Sequence, residues 1–500
     1  MKIELISDKN LHETRVALLE DGDLAELYVE RADNRRLVGN IYMGQVANVL
    51  PGMDAAFVDV GLEKNAFLHA CDILVDSSDF EFEGQNTKVQ LKPSIRSMLK
   101  QGQHIMVQVL KDPGGTKGAK VTTHVTLPGR MVVLMPTVDH IGVSRRIEGE
   151  EERSRLKSMM ERIKPQNMGV IVRTVAEGKS EQDFVEELAY LCRLWEEVQA
   201  KAEEKAPALI HAEGDVLYRC VRDLFTAQVS RFVVHREHAE KVRSLTRAIA
   251  PQLLNRIEIF DGDMPFDAFN LENKVDRALH TKVWLKSGGY LMFDSTEALM
   301  VVDVNTGKYV GSENLQDTIL KTNLEAAREI ARQLRLRNIS GIIIIDFIDM
   351  EQDSHKKIVV DALSEAMKRD RNKSNVLGMT GLGLVEMTRK KSRQRLDDIM
   401  LIKCPCCSGD GRLLSPETVA LDISREALDW LRRPDCEAVV VNVHSCVAQY
   451  IASRCKAGGF FKNLQGKTIY VRANTRMKQE RFEIMEYTVA DDVTGCDIYC

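Results

Sequence analysis

The sequence predicts a mixed α/β chain divided into several subdomains, and three observations predict it. Five hundred residues exceed what one ordinary hydrophobic core supports. Short β-runs broken by glycines fill the stretch after Arg36. Further on, two apolar runs, 299–302 and 342–345, flank one long amphipathic stretch over 315–336. That is the strand–helix–strand order of a parallel pair joined by a crossover. Apolar residues make up 44% and charged residues 29%, an ordinary soluble composition. No apolar run is long enough for a membrane span or a signal peptide. Eleven cysteines are too sparse for a disulfide scaffold, so the reducing cytoplasm is the expected location.

Taken in order, residues 15–19 and 24–30 read as strands around Asp21-Gly22, a hairpin signal. Runs at 39–46, 55–61, 65–69 and 102–110 then predict a small barrel. Their pattern resembles the S1-type oligonucleotide-binding domain, whose outward aromatics stack on single-stranded bases. Phe57 and Phe67 occupy those places; spacing alone would make both of them core residues. The polar, acidic stretch 72–91 reads as a loop inserted in the barrel, and Lys117-Gly118-Ala-Lys120 closes it. Strands follow through Gly129 and Met131-Val-Val133-Leu-Met, and again in Met168-Gly-Val-Ile-Val-Arg173-Thr174. A strand ending in a guanidinium and a hydroxyl suits a phosphate. Ser180 to Asp183 predicts a capping box, followed by a core stripe of Phe184, Leu188, Leu191, Trp195 and Val198. Residues 201–207 read as the helix end, and 210–277 alternate helical and strand patterns without a reactive cluster. Ser287-Gly288-Gly289 predicts a hairpin leading into the first carboxylate strand.

Two carboxylates organise the rest. Asp303 follows Ala298-Leu-Met-Val-Val, and Asp346 follows Gly341-Ile-Ile-Ile-Ile. Runs without polar alternation predict strands buried on both faces in the middle of a sheet. Either Asp alone reads more readily as a turn or cap residue. At the mouths of adjacent parallel strands, the two would make a hard oxygen site of the kind Mg²⁺ uses. Asn305, two residues past Asp303, shares its face. Between Lys368 and Arg395 nine Lys or Arg face only Asp370 and Glu386, although the whole chain carries −5. That window reads as a solvated face or as a wall for phosphates. Cys404-Pro-Cys406-Cys407-Ser-Gly409 is half of a zinc knuckle, and no second half appears, so a second copy of the chain is the expected source.

These motifs coincide in one family. Ser295-Thr-Glu-Ala, Val302-Asp303-Val-Asn305, Thr322-Asn-Leu-Glu-Ala-Ala, Ile330-Ala-Arg-Gln-Leu-Arg-Leu-Arg, Ile345-Asp-Phe-Ile-Asp-Met, Gly142-Val-Ser-Arg-Arg-Ile-Glu-Gly and the cysteine knuckle resemble the catalytic part of the bacterial ribonuclease E/G family along nearly the whole chain. With no long Pro- and Arg-rich tail, the chain is similar to the family's short branch. The resemblance implies a ribonuclease H-like subdomain (1–35 and 217–277) with an inserted S1 barrel (36–123) and 5′-sensor region (124–216). It then implies a deoxyribonuclease I-like subdomain (278–400), a zinc link (401–415) and a small C-terminal domain (416–500).

The implied activity is Mg²⁺-dependent endonucleolytic cleavage of single-stranded RNA to 5′-phosphate and 3′-hydroxyl ends, in rRNA maturation and mRNA decay. Asp303 and Asp346 match the Mg²⁺ ligands and Asn305 their supporting amide. Phe57, Phe67 and Lys117 match RNA contacts of the barrel, and Gly129, Val133, Arg173 and Thr174 match the 5′-monophosphate pocket. Cys404 and Cys407 match the ligands of a Zn²⁺ shared between two chains, in a homodimer or a dimer of dimers. Two positions depart from the pattern. Lys373 replaces an arginine of the tailed branch's pocket and loses the bidentate fork, and Cys406 stands inside the knuckle. The rival readings are a non-catalytic RNA-binding protein, for which paired carboxylates only add repulsion, and a zinc-knuckle scaffold, which leaves the aspartates unexplained.

Overall fold

Asp21 and Gly22 both take positive φ, 50° and 84°, the conformation that closes a tight hairpin between β2 (Glu13–Glu20) and β3 (Asp23–Arg31). The structure, a computed structural model, describes residues 1–31, 36–73, 95–113, 117–147, 149–203, 205–307, 315–407, 409–456, 460–461, 466–487 and 496–498. It divides into two units, Met1–Asp397 and Asp398–Cys500.

In the first unit, β1 (Ile3–Lys9) pairs antiparallel with β2 and parallel with a strand more than two hundred residues later. The chain leaves this sheet at once for a barrel of β4 (Ile41–Leu50), β5 (Ala55–Asp59), β6 (Ala66–His69), β7 (His104–Lys111) and β8 (Lys120–Thr122). The barrel closes because β4 pairs with both β5 and β7. Alternate residues fill it, among them Ala56, Val58, Leu68, Val107 and Val121. A Cβ on Gly118 would lie 2.1 Å from the Asn65 carbonyl oxygen, so only glycine lets the closing segment run this close to the chain just before β6. The predicted inserted loop falls almost entirely outside the described residues.

Next come β9 (Leu127–Pro128), β10 (Val132–Met135), β11 (Ile141–Val143) and β12 (Gly169–Val172), in the order β11-β12-β10-β9. Helices Glu150–Ile163 and Glu181–Lys201 supply the rest of their core. The second helix opens on the predicted capping box of Ser180 and Asp183, and its five-residue stripe is buried. Then β13 (Ala208–His211) returns to β4. Strands β14 (Val229–Val234) and β15 (Ile257–Ile259) complete the first sheet, ordered β15-β14-β1-β2-β3.

The carboxylates lie in a sheet of β16 (Lys282–Trp284), β17 (Tyr290–Ser295), β18 (Leu299–Asn305), β19 (Gly341–Asp346), β20 (Ser374–Met379) and β21 (Leu384–Arg389). Its order is β16-β17-β18-β19-β21-β20, so both carboxylate strands are central, as predicted. They are not buried on both faces. In β18 burial alternates strictly, and in β19 Ile343 and Ile345 are fully buried while Ile342 is 51% exposed. Helices Leu315–Leu336 and Asp353–Met367 pack on one face only, so an unbroken apolar run here marks a sheet with one open face. The second unit holds a helix, Pro416–Leu431, capped by Ser415, and strands β22 (Ala438–Val443), β23 (Thr468–Ala473), β24 (Phe482–Glu486) and β25 (Asp497–Ile498), ordered β24-β22-β23-β25. No helix among the described residues is long and apolar enough to cross a membrane.

The helix Leu315–Leu336 also ties the carboxylate sheet to the first sheet. Arg332 donates to the Leu24 carbonyl at 2.6 Å, and Arg335 pairs with Glu26 at 3.0 Å and with Glu20 at 2.5 Å. Glu26 also accepts a hydrogen bond from the Tyr28 hydroxyl. Burial alone would raise the Glu26 carboxyl, but the surrounding Arg335, Arg371 and Arg393 hold it below its ordinary value. Arg335→Ala leaves that carboxylate buried without its main partner, which costs about 3–5 kcal/mol. Urea unfolding of the first unit should show this loss; a change under about 1 kcal/mol, the scale of a surface pair, would mean the pair does not hold the two sheets together.

Candidate functional site

Parallel pairing sets Asp303 directly opposite Asp346, with Val301 opposite Ile344 one step back on the same face. Adjacent strands lie about 4.8 Å apart, so the two carboxyls emerge side by side on the open face. Val302 and Val304, and Ile343 and Ile345, point the other way into the core. The Asn305 side-chain amide donates to Asp303 at 2.6 Å, which fixes that carboxylate's orientation. Burial, then the charges of Asp303 and Asp349, raise the Asp346 carboxyl above its ordinary value. Among the described residues no three or more His, Cys, Asp or Glu side chains form a group able to hold a metal by themselves. The donor set here is a pair of hard oxygens that repel each other, which suits a divalent cation keeping most of its water.

The loops beside this pair are fastened from below. Asn323 is fully buried; its amide donates to the Ile348 carbonyl at 2.8 Å and its oxygen accepts from the Ile348 N–H at 3.1 Å. The turn carrying Asp346 toward Asp349 is thereby clamped through both backbone groups of Ile348. Two residues on, Glu325 accepts from the backbone N–H of Lys286 and of Ser287 and pins the β16–β17 hairpin. A Cβ on Gly289 would lie 2.7 Å from the Asn305 carbonyl oxygen, hence the glycine there. The roles of Asn323, Glu325 and Asp349 were not predicted. Asn323 does stand among the buried residues of its helix, and a buried polar side chain there marks a hydrogen-bonded partner.

On the barrel, Phe57 and Phe67 pair directly across β5 and β6, edge to face at 6.0 Å, and both are half-buried. The neighbours that fill the barrel are Ala56, Val58, Ala66 and Leu68, so the phenylalanines are on its outer wall. His69, 6.3 Å from Phe67, lengthens that row; the alternation Phe67-Leu68-His69 carried the signal. Lys117 is exposed at the strand that closes the barrel.

A third cluster surrounds Arg173. Its guanidinium donates to the Gly129 carbonyl at 2.6 Å and pairs with Asp223 at 2.7 Å. Burial alone would raise Asp223, but Arg222 and Arg173 hold it below its ordinary value. Arg371 donates to the Asp223 carbonyl at 2.6 Å, and Arg146 to the Asp370 carbonyl at 2.7 Å, so the 370–373 loop packs here. Thr174 is exposed beside Arg173, Val133 is half-buried on β10, and Lys373 is exposed. Arg371, not Lys373, touches Asp223; nothing in its spacing distinguished it. Gly129 has a packing reason as well, since a Cβ would lie 2.6 Å from the Glu187 carboxylate.

The basic window is not one wall. Arg389 is 3% exposed and pairs with Asp370; Arg393 lies 3.9 Å over the Tyr28 ring; Arg395 pairs with Asp397. A count of charge along the chain could not separate cations aimed inward from those aimed outward. In the second unit Cys404 and Cys406 are exposed and Cys407 half-buried. Backbone N–H groups of Cys407 and Cys406 hydrogen-bond the Cys404 sulfur and lower its thiol below the ordinary range. The Gly411 N–H donates to the Cys407 sulfur at 3.2 Å. Such donors favour thiolates, the form that binds zinc. Lys478 donates to the Pro405 carbonyl at 3.1 Å and anchors the turn.

Comparison with known proteins agrees with this layout. A family model described as "Ribonuclease E/G family" matches residues 126–392, and one described as "RNase E/G, Thioredoxin-like domain" matches residues 403–487. The chain is 42% identical over 490 residues to ribonuclease G of Haemophilus influenzae, covering 97% of this chain and 99% of that protein. Identity to ribonuclease G of Escherichia coli is 42% over 489 residues, 97% of this chain and all of that protein. To ribonuclease E of Nostoc sp. it is 40% over 402 residues, 79% of this chain and 57% of that protein. With the carboxylate pair, its clamps and the Arg173 cluster inside the matched region, the chain belongs to the ribonuclease E/G family.

Proposed function

We propose that the chain is an endoribonuclease that cuts single-stranded RNA with Mg²⁺ at Asp303 and Asp346, leaving a 5′-phosphate and a 3′-hydroxyl. The observation that carries the reading is the register that sets these two carboxylates side by side on an exposed sheet face. Mg²⁺ bound there would lower the pKa of a coordinated water and polarise the phosphodiester for in-line attack. The chain's own groups do the positioning. Asn305 holds Asp303, Asn323 holds the turn after Asp346, and the open face leaves room for the strand.

The outward Phe57 and Phe67 give bases a place to stack, with Lys117 for backbone charge. The Arg173 cluster is read as a pocket for a 5′-monophosphate, with Gly129, Val133, Thr174 and Lys373 at its rim. Arg371, which donates to the Asp223 carbonyl, brings to its edge the guanidinium that position 373 lacks. Pairing of β1–β3 with β14–β15 in one sheet around the inserted barrel supports the implied order: ribonuclease H-like parts, S1 barrel and 5′ sensor. The deoxyribonuclease I-like part is read as the carboxylate sheet, followed by the zinc link and the small domain. Two thiols per chain make half a tetrahedron, so one Zn²⁺ joins two chains through Cys404 and Cys407 of each. RNA processing in the cytoplasm, with rRNA maturation and mRNA decay as its setting, is the corresponding role. A non-catalytic RNA-binding role leaves the clamped carboxylate pair without a purpose.

Three measurements test these assignments. With a fluorescent single-stranded oligonucleotide, chelating Mg²⁺ should stop cleavage. Asp303→Asn and Asp346→Asn should each abolish it while the shift of RNA in a binding gel stays intact; near wild-type cutting by either variant would move the chemistry elsewhere. Oligonucleotides with a 5′-monophosphate should be cut faster than the same strands with a 5′-hydroxyl, and Arg173→Ala should erase the difference. Equal rates in the wild type would show that the Arg173–Asp223 pair stays closed. Native mass spectrometry should find one zinc per two chains, with Cys404→Ser/Cys407→Ser shifting the protein toward monomer; one zinc per single chain would remove the shared site.

A further inference from the structure

We propose that Trp284, with Lys282 beside it, is a second stacking site for RNA, which holds an unpaired base of the strand whose scissile phosphate lies at Asp303 and Asp346. This inference rests on the endoribonuclease reading above.

The edge strand β16 alternates like its neighbours. Val283 packs against the core, while Lys282 and Trp284 are exposed. Trp284 leaves 63% of its surface to water, an expensive place for the largest apolar side chain unless something covers it. It pairs across the ladder with Tyr290, and the rings meet edge to face at 5.4 Å. The Lys282 ammonium lies 4.2 Å from the Trp284 ring centre and 3.6 Å from that of Tyr290. Tyr290 in turn lies directly opposite Asn305, the residue that holds Asp303. One row therefore crosses the open face, from an exposed indole through Tyr290 and Asn305 to the carboxylates. Two strand spacings, about 10 Å, separate the strand of Trp284 from that of Asp303, within reach of a nucleotide next to the cut.

The platform is also fixed. Glu325 holds the β16–β17 turn and Asn323 holds the turn after Asp346, so one helix sets the distance between indole and carboxylates. A cross-strand aromatic pair stabilises an edge hairpin by itself, but that role needs neither an exposed indole nor a cation over it. An RNA strand needs both. Every base offers a face to stack, and a backbone drawn toward Asp303, Asp346 and Asp349 gains from an ammonium beside them to offset their charge.

The test uses the full-length protein and one short RNA with a single cut site, made also with a base-less nucleotide at each position around the cut. In the wild type, one flanking position should raise KM roughly tenfold when its base is missing, as loss of one stacked base does. Trp284→Ala should raise KM for intact RNA by a similar factor, act on KM more than on kcat, and lose its sensitivity to that position alone. Trp284→Phe should restore most of the affinity, and Lys282→Gln should flatten the salt dependence of KM. Base-less profiles identical in the wild type and Trp284→Ala would overturn the proposal while leaving the nuclease reading standing. So would a Trp284→Ala variant that changes only its sedimentation, because the face would then belong to a second copy. A wild type that cuts no RNA would overturn both. The wild-type profile needs no variant, so a poorly folding Trp284→Ala cannot hide the result.

Discussion

The register between β18 and β19 is the constraint on which the candidate site depends. Side chains alternate along a strand, so a slip of one residue would turn Asp346 into the apolar core and bring Ile345 to the surface. The register is held by the apolar residues that alternate with the site. Val302 and Val304 on one strand, with Ile343 and Ile345 on the other, are buried against the two helices, and exposing that set would cost several side chains' worth of burial. The carboxylate pair is thus placed by hydrophobic residues on the opposite face of the sheet.

One helix then carries several separate duties. Along Leu315–Leu336, the apolar stripe covers the carboxylate sheet, Asn323 and Glu325 fasten the loops on either side of the carboxylates, and Arg332 and Arg335 reach the N-terminal hairpin. Asn323 and Arg335 are buried there, and each makes the partner contacts that burial requires. A strained or shortened helix would disturb the site and the junction between sheets together.

Charge is arranged by orientation more than by amount. Of the cations between 368 and 395, several are consumed in buried pairs or over rings, and Arg371 contributes to the Arg173 cluster from a loop distant in the chain. The open face of the sheet, by contrast, carries carboxylates at its centre and a lysine with two aromatic rings at its edge. That arrangement suits the cation site and the stacking surface proposed above.

The sequence by itself determined much of this. Asp21-Gly22 specified its hairpin, Ser180 and Asp183 their capping box, 315–336 its helix, and the two apolar runs their adjacent parallel strands. Each is a local pattern, written in residues close in the chain, and the literal motifs pointed to the family that the comparisons show. Only the tertiary structure decided which face of the isoleucine strand lies open. A run of like residues has no alternation to report, and burial depends on what packs above and below. It likewise decided that Phe57 and Phe67 face outward, that Arg389 is buried and Arg371 joins Arg173, and that Asn323 and Glu325 are clamps. Those are meetings between residues far apart in the chain, and one-dimensional spacing records neither the partner nor the direction of a side chain.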